Sequence, residues 1–509
     1  MDGVECGRAS VMGTAGVENF GVILPVHGAN PVTRLHNERA DDLEKRRRMV
    51  RWVGVAAVGT AVAVATGVGA WSASSGVFAS TGVFPQAQIG GRLPSTASIS
   101  ADKTAATVEP TLTFAPASPL EPASPLSKAT NARIRALIPG LINPQAFGRN
   151  YAIDVIDADT GDAIMSHRSG TPMRPASTMK LITAFTSLSV LGPKTRTPTT
   201  AVMTGPRDVA VVGGGDSLLT SPAVLELARK ASRQLAGHGQ IRVHIVDQRF
   251  GKWVRGPGWP KEYVPSVATP VSSLAYLGDY TTTPQQHVGK EFTSALKRSG
   301  VSARYVGRST NSTGRVVAAR RGSTVAAQVS WMLQHSENNI AEILFRQVAI
   351  KMGHKPTWAG STAAARSVLK QAGISTRGLI LKDGSGLSRT DRTPAALLNT
   401  VLARAVDHRA NPALATVFYG QGLPTAGKTG TLVGRFSAKG TACSRGRVRA
   451  KTGSLHDVIS LSGVARGADH HLKIFTVVIN DLPQTPAGSR ARGAVDEVVT
   501  AVVGCASRT

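Results

Sequence analysis

Apolar positions along this chain follow two periods, and the switches between them mark its elements. Residues Ala129 to Leu137 repeat as on one face of a helix, whereas Tyr151 to Asp157 alternates as a strand does. The turn Asp159-Thr160-Gly161-Asp162 closes that strand into a hairpin. Leu181 to Leu188 is a nearly unbroken apolar run with Pro175 ahead of it, which predicts a buried helix with a proline entry. The pattern then reads strand Val209–Val212, glycine turn Gly213–Asp216, helix Pro222–Leu235, strand Ile241–Val246 and helix Val288–Arg298, an α/β order. Val325 to Phe345 is helical and strongly apolar, but the polar cluster Gln334-His335-Ser336-Glu337-Asn338-Asn339 interrupts it. Near the C-terminus Gly446–Ala450, Val458–Val464 and Ile474–Ile479 alternate as strands, the last two joined by the turn Arg466–Asp469.

The first part of the chain has a different pattern. Residues 1–51 are polar and end in Lys45-Arg46-Arg47-Arg48-Met49-Val50-Arg51. Trp52 to Trp71 then carries no charge, and as a helix it would extend about 30 Å, enough to cross a bilayer. The basic cluster places its N-terminal side in the cytoplasm and everything after Trp71 outside the cell. A cleaved signal segment is the other reading of the same stretch. Residues 72–127 are rich in Ala, Ser, Thr and Pro and read as a linker.

Composition adds a strong positive charge: 59 basic and 31 acidic residues give a formal net charge of +28. Such a field draws a protein to anionic polymers or headgroups. No finger spacing or aromatic RNA-binding signature accompanies it, so nucleic acid is not an expected partner. Cys443 and Cys505 would face an oxidising exterior and can pair, while Cys6 would lie in the reducing cytoplasm. His470-His471 reads as a turn and His456 as a rim residue, so no metal or other cofactor is expected.

The chemistry begins at Ser177-Thr178-Met179-Lys180. On a helix Lys180 shares a face with Ser177, and a neutral amine there can take the serine proton. The spacing alone is common: Ser294-Ala295-Leu296-Lys297 and Ser367-Val368-Leu369-Lys370 repeat it on solvated helices. Ser336 and Asn338 either cap a helix turn or face a cleft. Lys451-Thr452-Gly453-Ser454 lies on a strand, where Lys and Thr can hold a carboxylate, and Gly453 permits close backbone approach. Lys428-Thr429-Gly430 is a second copy of the tripeptide.

Taken in order, Ser-x-x-Lys, Ser-x-Asn and Lys-Thr-Gly resemble the signature of penicillin-binding proteins and serine β-lactamases. From about residue 130 to residue 485 the chain resembles the low-molecular-mass class C penicillin-binding proteins, D-alanyl-D-alanine carboxypeptidases and endopeptidases. Gly214-Gly215-Asp216, Gly258-Trp259-Pro260, Asp383-Gly384-Ser385-Gly386-Leu387-Ser388-Arg389, Leu423-Pro424-Thr425-Ala426-Gly427 and Gly430-Thr431-Leu432-Val433-Gly434-Arg435 carry the same resemblance. It marks Lys451 as the active copy and Lys428 as a decoy. The implied fold is a penicillin-binding-protein/β-lactamase-like domain, an antiparallel sheet flanked by helices. The interval between Lys180 and Ser336 is short for two inserts, so one small inserted α/β domain is expected. The domain boundaries are then 1–51 for a cytoplasmic tail, 52–71 for the membrane helix, 72–127 for the linker, 128–205 with 312–509 for catalysis, and 206–311 for the insert.

The resemblance also implies the roles. Ser177 attacks the penultimate D-alanine carbonyl; Lys180, kept neutral by burial and by the Lys451 cation, takes its proton. Ser336 relays a proton to the leaving group, and Asn338 orients Lys180 and the substrate amide. Lys451, Thr452 and Gly453 bind substrate, and the backbone N–H groups of Ser177 and Ser454 form the oxyanion hole. Glu337, standing where an aspartate is common, takes no role. The implied partners are peptidoglycan stem peptides, with β-lactam antibiotics as inhibitors, on the outer side of a single-pass membrane anchor. A class A β-lactamase would use a glutamate after Ser-x-Asn, and this chain has none between Glu342 and Glu497. A wall-binding scaffold with a vestigial site is the non-enzymatic alternative.

Overall fold

The structure, a computed structural model, describes residues 109–251, 254–483 and 487–505. The basic tail, the Trp52–Trp71 run and the linker up to residue 108 lie outside the described residues. Among the described residues no helix is long and apolar enough to cross a membrane.

Two sheets organise the chain. The first contains β1 (Tyr151–Asp157), β2 (Ala163–His167) and the three C-terminal strands. The second consists of β3 (Thr199–Gly205), β4 (Asp208–Gly213), β5 (Ile241–Val246), β6 (Ala303–Arg308) and β7 (Arg315–Arg320). β8 (Val448–Leu455), β9 (Val458–Arg466) and β10 (Leu472–Ile479) complete the first sheet in the order β2-β1-β10-β9-β8, antiparallel throughout. The longer helices among the described residues are α1 (Pro125–Leu141), α2 (Lys180–Leu191), α3 (Ser221–Leu235), α4 (Pro284–Arg298), α5 (Val325–His335), α6 (Asn338–Lys351), α7 (Trp358–Gln371), α8 (Ala395–Val406) and α9 (Ala487–Val503).

β9 is buried at every position except Arg466 because helices cover both faces of its sheet. On one face Ile153, Leu461, Phe475 and Val477 pack with Ile134 and Ile138 of α1 and Val495, Val498 and Val502 of α9. On the other, Val464 and Ile474 join a larger cluster built from α2, α5, α6, α7 and α8. α2 is buried at almost every position, at the centre of that cluster, which is why its sequence shows no polar face. Cys443 and Cys505 are joined by a disulfide that ties the chain after α9 to the loop before β8. Replacing both by serine is expected to destabilise the domain by roughly 2–4 kcal/mol, measured by denaturant titration.

The second sheet is mixed, in the order β6-β5-β4-β3-β7, with β4, β5 and β6 mutually parallel. It is larger than the 206–311 insert expected from sequence. β3 pairs with both β4 and β7, so residues 199–205 and 315–320 belong to the inserted sheet. The linker boundary also moves. Residues 109–124 lie on the helical half: Phe114 stacks on Phe185, Leu112 donates to Gln371 Oε1 at 2.7 Å, and Ser118 is held by Asp407. Apolar Leu112 and Phe114 are partly buried against that cluster, which a chain judged by its Pro and Ala content does not reveal.

Candidate active site

Ser177 lies on a single 3-10 turn, Ala176–Met179, that runs directly into α2 at Lys180. In such a turn residues three apart eclipse one another, and Lys180 Nζ reaches Ser177 Oγ at 3.0 Å. Ala176 sits at φ 50°, a left-handed conformation for a non-glycine residue. It persists because the turn is gripped on both sides. Thr178 Oγ1 donates to the Pro175 carbonyl at 2.7 Å, as does Ser460 Oγ of β9, also at 2.7 Å. Gly386 packs so closely that a Cβ there would stand 1.9 Å from the Ala176 carbonyl oxygen.

Lys180 is fully buried, and its Nζ also contacts Asn338 Oδ1 at 2.7 Å and the Ser385 carbonyl at 2.7 Å. A neutral amine can donate to the last two and turn its lone pair toward the Ser177 hydroxyl. Burial pushes this amine down to about 8, against the opposing charges of Asp383, Glu342 and Glu337. Lys451, also fully buried, is pushed well below its ordinary value by burial and by the charge of Lys180. Burial is thus the first cause at both lysines, and each is moved toward its neutral form.

The polar cluster at 334–339 is where α5 ends and α6 begins. Ser336, at φ 56°, is the left-handed residue of that turn, a conformation that costs about 1–2 kcal/mol outside glycine. Lys451 Nζ donates to Ser336 Oγ at 2.9 Å and to its neighbour's carbonyl at Thr452 at 2.8 Å. Lys180 thus joins Ser177 and Asn338 in one hydrogen-bonded group, and Lys451 and Ser336 form a second that shares the same turn. Of the two Lys-Thr-Gly copies, the one on β8 reaches Ser336; Lys428 lies instead beside Gly446.

β8 is the edge of its sheet and runs past the nucleophile turn, carrying Ser454 as the residue after Gly453. A Cβ at Gly453 would stand 2.1 Å from Ser460 Oγ, 2.8 Å from the Pro175 carbonyl and 3.1 Å from Ser177 N. The glycine therefore lets β8 close on the nucleophile turn, the protein's own backbone, rather than only on a substrate. Gly453→Ala is expected to lower acylation by about 10²-fold through displacement of that contact, read by stopped-flow or gel labelling with a fluorescent penicillin.

Several supporting groups carried no role in the sequence. Asp383 accepts from the backbone N–H of Ser385 (3.1 Å), Gly386 (2.6 Å) and Ser388 (2.8 Å), and from Trp259 Nε1 (2.6 Å). It shapes the loop that aims the Ser385 carbonyl at Lys180. Glu342, raised to about 8 by burial and the charge of Asp383, accepts from Gly384 N–H at 3.1 Å on the same loop. Thr452 Oγ1 donates to Thr431 Oγ1 at 2.8 Å, so two exposed-side hydroxyls stand together beside Lys451. Their signals were the Asp-Gly-Ser-Gly and Gly-Thr-Leu stretches, legible as resemblance but not as contacts. Outside the site, Asp157, Asp159 and His471 bring ligand-type atoms within 4.8 Å of one another. The buried Lys473 ammonium already lies on Asp157 and on Asp469, which balances that charge without an ion.

A serine and a buried lysine at a helix entry, beside a Ser-x-Asn turn and the edge strand of an antiparallel sheet, define the penicillin-binding-protein class of serine acyl-enzymes. The solved penicillin-binding protein 4 (dacB) of Haemophilus influenzae has this fold, with a TM-score of 0.62 and 19% identity over 72% of this chain and 98% of that one. The profile of the D-Ala-D-Ala carboxypeptidase 3 (S13) family matches residues 136–282 and 279–502, and the chain belongs to that family. It is 28% identical to carboxypeptidase DacB of Mycolicibacterium smegmatis over 69% of this chain and 80% of that protein. It is likewise 28% identical to carboxypeptidase Rv3627c of Mycobacterium tuberculosis, over 70% of this chain and 80% of that protein. The protein is a serine-type D-Ala-D-Ala carboxypeptidase by family.

Proposed function

We propose that the protein hydrolyses the terminal D-Ala-D-Ala bond of peptidoglycan stem peptides, and D,D cross-links of the same chemistry, through an ester on Ser177. The observation that carries this reading is Lys180 Nζ held between Ser177 Oγ and Asn338, with Lys451 on Ser336.

Lys180 as the neutral amine takes the Ser177 proton while Oγ attacks the penultimate D-alanine carbonyl. The oxyanion of the tetrahedral adduct is received by the N–H groups of Ser177 and Ser454, each such donor contributing on the order of 10²–10³ in rate. The proton passes through Ser336 to the leaving nitrogen, the C–N bond breaks and D-alanine departs. Water then adds to the ester, giving its proton back by the same route, and Ser177 is released. Asn338 fixes Lys180 and meets the substrate amide; Lys451, Thr452 and Thr431 provide the cationic and hydroxyl groups that a terminal carboxylate requires. A β-lactam enters the same steps, but its leaving nitrogen stays tethered and the ester persists. The Haemophilus influenzae relative has been solved in complex with a β-lactam, with a TM-score of 0.54 to this chain.

The uncharged Trp52–Trp71 run behind a basic cluster supports an anchored enzyme whose catalytic domain works on the wall side of the membrane. The test of the activity is release of D-alanine from a peptide ending in D-Ala-D-Ala. The expected result is release that stops on pre-incubation with penicillin. Absence of release from both that peptide and a cross-linked dimer would remove the reading.

A further inference from the structure

The connection from β5 to α4, residues 247–283, contains neither a sheet strand nor an α-helix among its described residues, an unusual length for a passive loop. It does not wander over the surface of the insert. Val267, Thr269 and Tyr280 from this one segment each bind a different residue of the turn that carries Ser336. The Val267 carbonyl accepts from Asn338 Nδ2 at 2.9 Å, and Thr269 N–H donates to Asn339 Oδ1 at 2.9 Å. The Tyr280 hydroxyl lies 2.7 Å and 2.8 Å from the two carboxylate oxygens of Glu337.

Glu337 is the N-cap of α6, its carboxylate accepting from the backbone N–H of Asn339 at 3.3 Å. Immediately before it stands Ser336 in its left-handed conformation, which holds only where the surroundings over-determine it. Gripping both oxygens fixes the rotation of the carboxylate and with it the cap. We propose that Tyr280 is a positioning residue for the reaction: it acts through Glu337 to hold the turn that aims Ser336 at Lys451 and Asn338 at Lys180. The inserted sheet thereby takes part in building the catalytic centre, and the middle residue of the Ser-Glu-Asn motif is the point through which it does so. An aspartate at 337 is one methylene shorter and would keep the cap while drawing away from the tyrosine.

The inference rests on the acyl-enzyme reading above, and its test separates the two. The acylation rate by a fluorescent penicillin, kcat and KM on a D-Ala-D-Ala peptide, and the melting temperature are measured on the full-length protein. The variants are Tyr280→Phe, Glu337→Asp, their combination, and Tyr276→Phe, whose hydroxyl serves Glu291 within the insert. Tyr280→Phe is expected to lower acylation about tenfold, in kcat rather than KM, with the melting temperature within about 2 °C of the wild type. Glu337→Asp should do the same, and the combined variant should be no slower than the slower single one. Tyr276→Phe should stay within about twofold of the wild type. The inference is overturned if Tyr280→Phe acylates like the wild type, if the two losses multiply, or if Tyr276→Phe loses as much. A wild type that takes no label undoes the acyl-enzyme reading itself.

Discussion

Ser177→Ala is expected to abolish covalent labelling by penicillin and to lower D-alanine release by at least about 10⁴-fold, with the fold intact. On the proposed mechanism the Ser177 oxygen forms the ester that every later step breaks, so no supporting group can replace it. Without that oxygen, the neighbouring Ser336 hydroxyl is held by Lys451, and Ser454 lies on the edge strand. Neither has Lys180 as its base. The hydroxyl is only partly buried, so the melting temperature should change by no more than about 2 °C. Release from the variant at near wild-type rate would show that another nucleophile, or direct attack by water, does the chemistry.

The second large effect concerns Lys180. Lys180→Met is expected to lower acylation by about 10³- to 10⁴-fold, because a methionine fills the buried space but cannot take a proton. The wild type should show the base titrating. The active form is the unprotonated amine, so acylation falls about tenfold per pH unit below the amine's value of about 8 and levels off above it. The sign follows from the cause: burial disfavours the ammonium and lowers the value from that of an exposed lysine. Measuring the second-order acylation constant between pH 6 and about pH 10 checks this. A flat profile, or one falling toward high pH, would exclude Lys180 as the base.

Much of this site was legible because its chemistry lies in side chains at short spacing. Ser177 and Lys180 are three apart, and Ser336 and Asn338 lie in a polar interruption of an apolar helix; such patterns survive in a linear reading. The helix of residues 180–191 and the strands β9 and β10 were legible for the same reason, since complete burial leaves continuous apolar runs. What the sequence concealed depends on distant backbone. The Ser385 and Val267 carbonyls that hold Lys180 and Asn338 have no residue identity to read, and Tyr280 is 57 positions from Glu337. The edges of the insert are hidden from a local reading because β3 and β7 become strands by pairing with each other across more than a hundred residues. Residues 109–124 read as linker in the sequence because Phe114 is a lone aromatic among Pro and Ala, whose partner Phe185 is far along the chain.

Peptide mapping of the protein after brief exposure to penicillin locates the ester directly. One adduct of the mass of the intact drug is expected, on the peptide containing Ser177, appearing at the same rate as D-alanine release is lost. An adduct on the peptides carrying Ser336 or Ser454 would contradict it, as would an unmodified protein beside drug that remains unhydrolysed.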